Sequence, residues 1–300
     1  MILVVGATGL VGSEVCRQLR VAGMPVRALV RSTSSPEKIE GLRSLGIETV
    51  IGDLRDDKSL ADACTGIDAV ITTVSSMPFS YQAGSNDIMT VDTDGTRKLI
   101  DAAGDAGARR FVYTSFSGHI DISSPLVEAK RTTERHLMAS RLDWTILRPS
   151  YFMEVWLTPT VGFDPEHGKV TLFGTGTAPI SWISTRDVAA FAVTSLMNPN
   201  ASRAILELGG PEAISPKEVV GIYETWLGRK IEVTGVPEID LERQQTSSTD
   251  PMAQSFAALQ RCYARGDAID MKRTSMLLLR ALRTVREHAR TLSREPVATG

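Results

Sequence analysis

The chain has 300 residues and a mass of 32.5 kDa, is 42% apolar and 23% charged, and carries a net charge of −2. Such a chain is long enough to bury a core and ordinary in composition for a globular protein, and its near-neutral balance gives no electrostatic ground for binding nucleic acid or a membrane surface. The three cysteines, Cys16, Cys64 and Cys262, lie far apart with no paired spacing for a disulfide framework or a metal site, which fits a reducing compartment. Apolar runs stop well short of the roughly 20 residues of a membrane span. The N-terminus lacks a basic region and a cleavage pattern, so a cytoplasmic location is expected.

The chain opens on an apolar strand, Ile2 to Val5, which enters Gly6-Ala7-Thr8-Gly9-Leu10-Val11-Gly12 and then a helix over Ser13 to Val21 ended by Gly23-Met24-Pro25. Gly6 permits a sharp turn, Gly9 a close approach of backbone to a diphosphate, and Gly12 close packing of helix on strand. The free N–H groups at the helix start and the positive end of its dipole make an anion site. Strand, turn and helix in this order predict a dinucleotide-binding βαβ unit, with Gly6, Thr8, Gly9, Leu10, Val11 and Gly12 against the cofactor.

Short apolar runs and helical patterns then alternate. Strands are expected at Val26 to Val30, Glu48 to Ile51, Ala69 to Val74, Arg110 to Thr114 and Trp144 to Leu147. Helices are expected near Pro36 to Ser44, Ser59 to Cys64, Asp92 to Ala106 and Glu128 to Ser140. This alternation specifies an α/β fold, a doubly wound parallel sheet of the Rossmann type, over residues 1–150. Arg148-Pro149-Ser150 breaks it. Residues 151–300 are expected to form mainly a smaller substrate-binding portion over the sheet's carboxyl edge. Within them come the turn-rich segment Gly162 to Gly176, a strand at Ile180 to Ile183, and residues 187–208, a helix from Asp187 to Met197 and a strand from Ala204 to Leu208, which return to the Rossmann core.

Between Asp267 and Glu295 the chain turns basic, and Met276, Leu277, Leu279, Leu282, Val285 and Ala289 recur at helical spacing. This pattern predicts a docked surface helix, the alternative being a partner surface.

An NAD site usually carries Asp or Glu about 20 residues past the glycines to bond the ribose 2′-OH, and an NADP site carries Arg. Here the second strand ends Val30-Arg31-Ser32-Thr33, and from that strand onward no carboxylate appears until Glu37. Arg31, assisted by Ser32, suits a 2′-phosphate, so NADP(H) is expected over NAD(H); Arg27 could share the role. Asp53, in Gly52-Asp53-Leu54 at the end of the third strand, either accepts from the adenine amino group beside Leu54 or caps the next helix. Thr73, ending the fourth strand, is also counted with the cofactor. Segments overhanging the carboxyl edge bring Phe79, Tyr151, Phe152, Trp156 and Trp182, which suit a small, flat hydrophobic substrate.

The glycine turn, Val26 to Arg31, Gly52-Asp53-Leu54, Phe111 to Ser115, Lys130, Trp144 to Pro149 with Phe152-Met153, and Ile183 to Ala189 together resemble the NmrA-like group of atypical short-chain dehydrogenases/reductases. The resemblance covers about the first 210 residues. It implies a Rossmann core, NADP(H), and quinones, aromatic ketones or other hydrophobic electrophiles as substrates; some members bind the cofactor without turnover and act as redox-sensing regulators.

The resemblance places Lys130 where the family's lysine holds the nicotinamide ribose. Leu126 stands four residues before it, where the typical short-chain dehydrogenase has its proton-donating tyrosine, and Phe116 stands at the usual serine. Ser115 or Ser117 would then substitute for that serine. His119 is the nearby side chain whose ordinary pKa suits proton transfer at neutral pH. The expected function is an NADP(H)-dependent oxidoreductase; the alternatives are a non-catalytic dinucleotide sensor, or an isomerase or cyclase on the same fold. The pattern does not decide between monomer and oligomer.

Overall fold

The computed structural model describes residues 1–78, 80–278 and 280–292. The first half alternates β1 (Ile2–Val5), α1 (Leu10–Val21), β2 (Val26–Val30), α2 (Pro36–Ser44), β3 (Glu48–Ile51), α3 (Asp57–Cys64), β4 (Ala69–Thr72), a π-helix (Ile88–Gly95) running into α4 (Thr96–Asp105), β5 (Arg110–Thr114), α5 (Pro125–Ala139) and β6 (Asp143–Pro149). The second half adds α6 (Met153–Trp156), β7 (Phe163–Asp164), β8 (Lys169–Phe173), α7 (Thr185–Met197), β9 (Ala204–Leu208), α8 (Pro216–Leu227), β10 (Glu232–Val236), α9 (Glu238–Ser247), α10 (Pro251–Arg265) and α11 (Val285–Ala289).

Seven parallel strands form one sheet in the order β3-β2-β1-β4-β5-β6-β9. The inner strands β1, β4 and β5 are buried on both faces, as a parallel sheet covered by helices requires, and the edge strand β3 is partly exposed. On one face Val15, Cys16 and Leu19 of α1 meet Val188, Phe191 and Ala192 of α7 over the sheet. On the other, Leu60 of α3, Leu99 and Ile100 of α4 and Leu137 of α5 pack against Leu3, Val70, Phe111 and Tyr113. Strand order reverses between β1 and β4, and open α/β sheets bind ligands beyond the carboxyl ends at such a reversal.

A second sheet, β10-β8-β7, packs with α8 and α10 around an aromatic core containing Tyr151, Trp156, Trp182, Tyr223 and Tyr263. Residues 185–208 return to the first core, α7 lying on α1 and β9 pairing with β6. No helix among the described residues is long and apolar enough to cross a membrane.

Three expectations are corrected. The strand at Ile180 to Ile183 is only a set of single bridges, Ile180 to Ile214 and Asp267 and Ile183 to Phe152, because Ile180 is held between two segments that run in different directions. The helix predicted from Asp92 starts earlier, at the π-helix, where Asp87 and Thr90 cap each other reciprocally. The C-terminal amphipathic stretch is not one helix: its described residues form a short 3₁₀ turn, Thr274–Leu277, and α11. Asp187 takes the Arg283 backbone N–H at 2.8 Å and pairs with Arg280 at 2.9 Å, and Thr284 caps a new helix start, so the helical ladder is interrupted between them. Leu279 and residues 293–300 of that stretch lie outside the described residues.

Candidate functional site

At the sheet reversal, Gly6 turns the chain with φ +86°, and a Cβ there would lie 2.8 Å from Thr73 Oγ1. The segments leaving β1 and β4 therefore touch, and the Thr73 N–H donates to Val5 O at 3.0 Å. A Cβ on Gly12 would fall 2.0 Å from Gly6 O, so any side chain would force α1 off the turn. Side chains of Ser35, Asp56 and Ser124 cap α2, α3 and α5, but Gly9 leaves α1 without a side-chain cap and with no acidic residue in its first turn. Orphan N–H groups at a positive dipole end, approached by a backbone stripped of Cβ atoms, suit the diphosphate of a dinucleotide.

At the end of β2, Arg31 is half-buried and its Nη1 donates to Asn86 Oδ1 at 2.7 Å, while Ser32 is exposed beside it. Asp53 is gripped by Arg55, through Nη2 at 2.6 Å and Nε at 2.8 Å, and this bonding holds its carboxyl below the usual range. The cap of α3 is Asp56, which accepts from the Lys58 and Ser59 N–H groups, so the reading of Asp53 as that cap is corrected. Its neighbour Leu54 is buried. Arg55 Nη1 also donates to Ser85 O. The loop after β4 is thus tied by Asn86 and Ser85 to the two arginines at the carboxyl ends of β2 and β3.

Lys130 on α5 is the buried centre of the edge. Its Nζ donates to Val74 O at 3.1 Å, lies 3.0 Å from Asp92 Oδ1 and sits 5.5 Å from the Tyr113 ring centroid. Burial works against its charge, but the Tyr113 oxygen and the Asp92 carboxylate outweigh it and hold the amine above its ordinary range. Burial raises the Tyr113 phenol to about 12, so it stays neutral. Asp92 is steadied in turn by the Ser76 N–H at 3.0 Å and hydroxyl at 2.7 Å. Val74 Cγ2 would lie 3.2 Å from a Cβ on Gly6, which puts the segment Lys130 grips directly against the glycine turn.

Past β5 the three remaining catalytic candidates divide between two networks, Ser115 in one and Ser117 with His119 in the other. Ser115 lies against the buried Glu134 carboxylate, which pairs with Arg131 at 2.7 Å and Arg148 at 2.5 Å. Burial works to raise Glu134, but Arg148, Ser115 and Arg131 pull it below its ordinary value. Ser117 is fully buried; its hydroxyl donates to Asp267 Oδ1 at 2.7 Å and accepts from the His119 N–H at 3.1 Å, which commits its proton. The His119 ring is mostly exposed, with Nδ1 2.9 Å from the same Asp267 oxygen.

Among the substrate candidates, Phe79 lies outside the described residues. Tyr151, Trp156 and Trp182 are buried in the second core; Tyr151 donates to Leu259 O at 2.8 Å, Trp182 to Ile214 O at 3.0 Å, and Trp156 stacks on Phe256 with centroids 5.9 Å apart. Phe152 is half-buried against the first core. Closer to Lys130, a smaller apolar cluster joins Met77 of the loop after β4 to Leu126 and Ala129 of α5, edged by Tyr81, Phe116 and Phe256.

Sequence reasoning missed Asp92, Asn86, Arg55 and Asp267 at these places. Asp92 carried one signal, a carboxylate at a helix start in an apolar pattern; Asp267 carried none, being 148 residues from His119.

Comparisons with known proteins agree with this geometry. The model of the NmrA-like family matches residues 1–289. The chain is 32% identical over 268 residues to an NAD(P)H azoreductase of Xenophilus azovorans, covering 88% of this chain and 86% of the other. It is 31% identical over 252 residues to the photosystem II assembly factor Ycf39 of Cyanophora paradoxa, covering 82% and 75%. The solved structure of the NADPH-dependent quinone oxidoreductase QOR2 from Escherichia coli, in complex with NADPH, superposes with a TM-score of 0.77 at 25% identity, over 97% of this chain and 99% of that one. The chain belongs to the NmrA-like family, a group of NAD(P)-binding Rossmann oxidoreductases.

Proposed function

We propose that this chain is an NADPH-dependent reductase of a small, flat, hydrophobic electrophile such as a quinone, an azo compound or an aromatic carbonyl. The observation that carries the reading is Lys130: a charged amine, almost wholly buried, bonded to the segment that abuts the glycine turn. Burying such a charge is costly even beside the Asp92 carboxylate, and perturbed buried groups of this kind cluster at functional sites. An azoreductase and a quinone oxidoreductase among the similar proteins support the substrate class.

In this reading Gly6, Thr8, Gly9, Leu10, Val11 and Gly12 hold the diphosphate, and Asp53 and Leu54 border the adenine. Arg31, with Ser32, pairs with the 2′-phosphate in place of Asn86. Thr73 and Lys130 hold the ribose nearest the nicotinamide. The dinucleotide, when bound, supplies a hydride. Ser115 stays in the Glu134 network and Ser117 anchors the loop, while His119 delivers the proton from Nε2, because Leu126 stands four residues before Lys130 where a donor tyrosine would be. Met77, Tyr81 and Phe116, with Tyr151, Phe152, Trp156 and Trp182 behind them, exclude water from the acceptor.

The test follows NADPH absorbance with a panel of quinones, azo dyes and aromatic ketones, in wild type and Lys130→Ala. Turnover by the wild type, strongly reduced in the variant, is expected. A second reading, a non-catalytic dinucleotide binder, is favoured by Leu126 in the tyrosine's place and by the assembly-factor relative. Tight NADPH binding with no turnover of any acceptor would decide for it.

A further inference from the structure

We infer that Asp267, which comes from the C-terminal segment, is the positioning residue that makes His119 the proton donor. This rests on the reductase reading above and adds to it a residue that no motif contains.

The Asp267 side chain is 1% exposed, and its backbone is fixed on both sides: its N–H donates to Pro179 O at 2.9 Å and its carbonyl accepts from Ser181 at 2.9 Å. Oδ1 receives the Ser117 hydroxyl at 2.7 Å and faces His119 Nδ1 at 2.9 Å, and Oδ2 is buried with no hydrogen bond among the described residues. The direction of these bonds follows from Ser117. Its oxygen accepts from the His119 N–H, so its own proton goes to Asp267. An oxygen receiving that proton is an acceptor for Nδ1–H as well, which fixes the tautomer and leaves Nε2 turned away from the carboxylate. With Nδ1–H held by the carboxylate, Nε2 is the nitrogen left to take up and give a proton.

The charged groups packed around the loop are mostly engaged elsewhere. Glu207 of β9 accepts the Gly118 N–H at 3.0 Å and pairs with Arg148 of β6; Arg131 of α5 bonds Ser117 O at 2.7 Å and pairs with Glu134. Asp121 follows two residues later. Among the described residues, Asp267 is the charged group within hydrogen-bond distance of the ring.

The step balances. With an azo acceptor, hydride forms an N–H bond at one nitrogen, the N=N π pair moves to the other, and that nitrogen takes the proton as the His119 Nε2–H bond breaks. The acceptor gains two electrons and two hydrogens, the reduced nicotinamide loses two electrons, and water returns the proton to His119. A triarylmethyl cation differs: its central carbon takes hydride and needs no proton.

Two measurements on the full chain test this. Imidazole NMR of the cofactor-free protein should show neutral His119 carrying its proton at Nδ1, a preference lost in Asp267→Ala. With NADPH, the ratio of azo to triarylmethyl turnover at neutral pH should fall at least about tenfold in Asp267→Asn, and further in His119→Gln, whose exposed ring leaves the core intact. A wild-type ring that does not carry its proton at Nδ1, or an unchanged acceptor ratio in an active enzyme, overturns the Asp267 assignment alone. A wild type that binds NADPH and reduces no acceptor overturns the reductase reading and the donor role together.

Discussion

Lys130 Nζ lies 3.0 Å from Asp92 Oδ1, with the two side chains 4% and 0% exposed. The pair ties α5 to the π-helix beneath the sheet reversal, so the site and the fold share one interaction. Breaking a buried pair leaves an uncompensated charge, so Lys130→Met should lower unfolding free energy by about 3–5 kcal/mol in urea denaturation. Lys130→Met combined with Asp92→Leu should recover part of that loss while dinucleotide affinity stays low; a single variant as stable as the wild type would refute the pairing.

Arg31→Ala should weaken NADPH binding about 10- to 100-fold, the value of a charge-assisted bond to phosphate, and leave NADH binding unchanged. Fluorescence titration with both cofactors reads this directly. Because Asn86 occupies Arg31 Nη1, Asn86→Ala should raise NADPH affinity or leave it unchanged.

Gly12→Ala should abolish dinucleotide binding, because its Cβ would stand 2.0 Å from Gly6 O and α1 must shift to accept it. Gly23→Ala, with nothing within 4 Å of the added atom, serves as a control for binding even though its φ of +72° costs some stability. Equal cofactor affinity in the two variants would count against the close turn.

Glu134 gives a pH signature. Its carboxyl is held below the ordinary 4.5 in the folded chain, chiefly by the Arg148 bond working against burial. The folded state therefore holds fewer protons than the unfolded one, and the stabilisation is complete above about 4.5 and lost as pH falls through the lowered value. Glu134→Gln should thus be less stable than wild type at pH 7, with the gap closing in acid; a gap independent of pH would place the stabilisation elsewhere.

Elements with a local cause were legible in the sequence. The glycine turn needs only its own spacing and the strand and helix around it, and the alternating apolar runs specify a parallel sheet because each strand must be buried on both faces. Where tertiary partners decide, the sequence misleads. The stripe from Met276 to Ala289 reads as one helix, but Asp187 captures the Arg283 N–H and Thr284 starts a separate turn.

From its sequence alone this protein is a dinucleotide-binding Rossmann chain, since glycine placement and hydrophobic period are properties of neighbouring residues. Only the tertiary structure joined Asp92 to Lys130 and Asp267 to His119, 38 and 148 positions apart by their numbering. A buried charge is made tolerable by a partner that folding brings to it, and no spacing along the chain encodes which residue that will be.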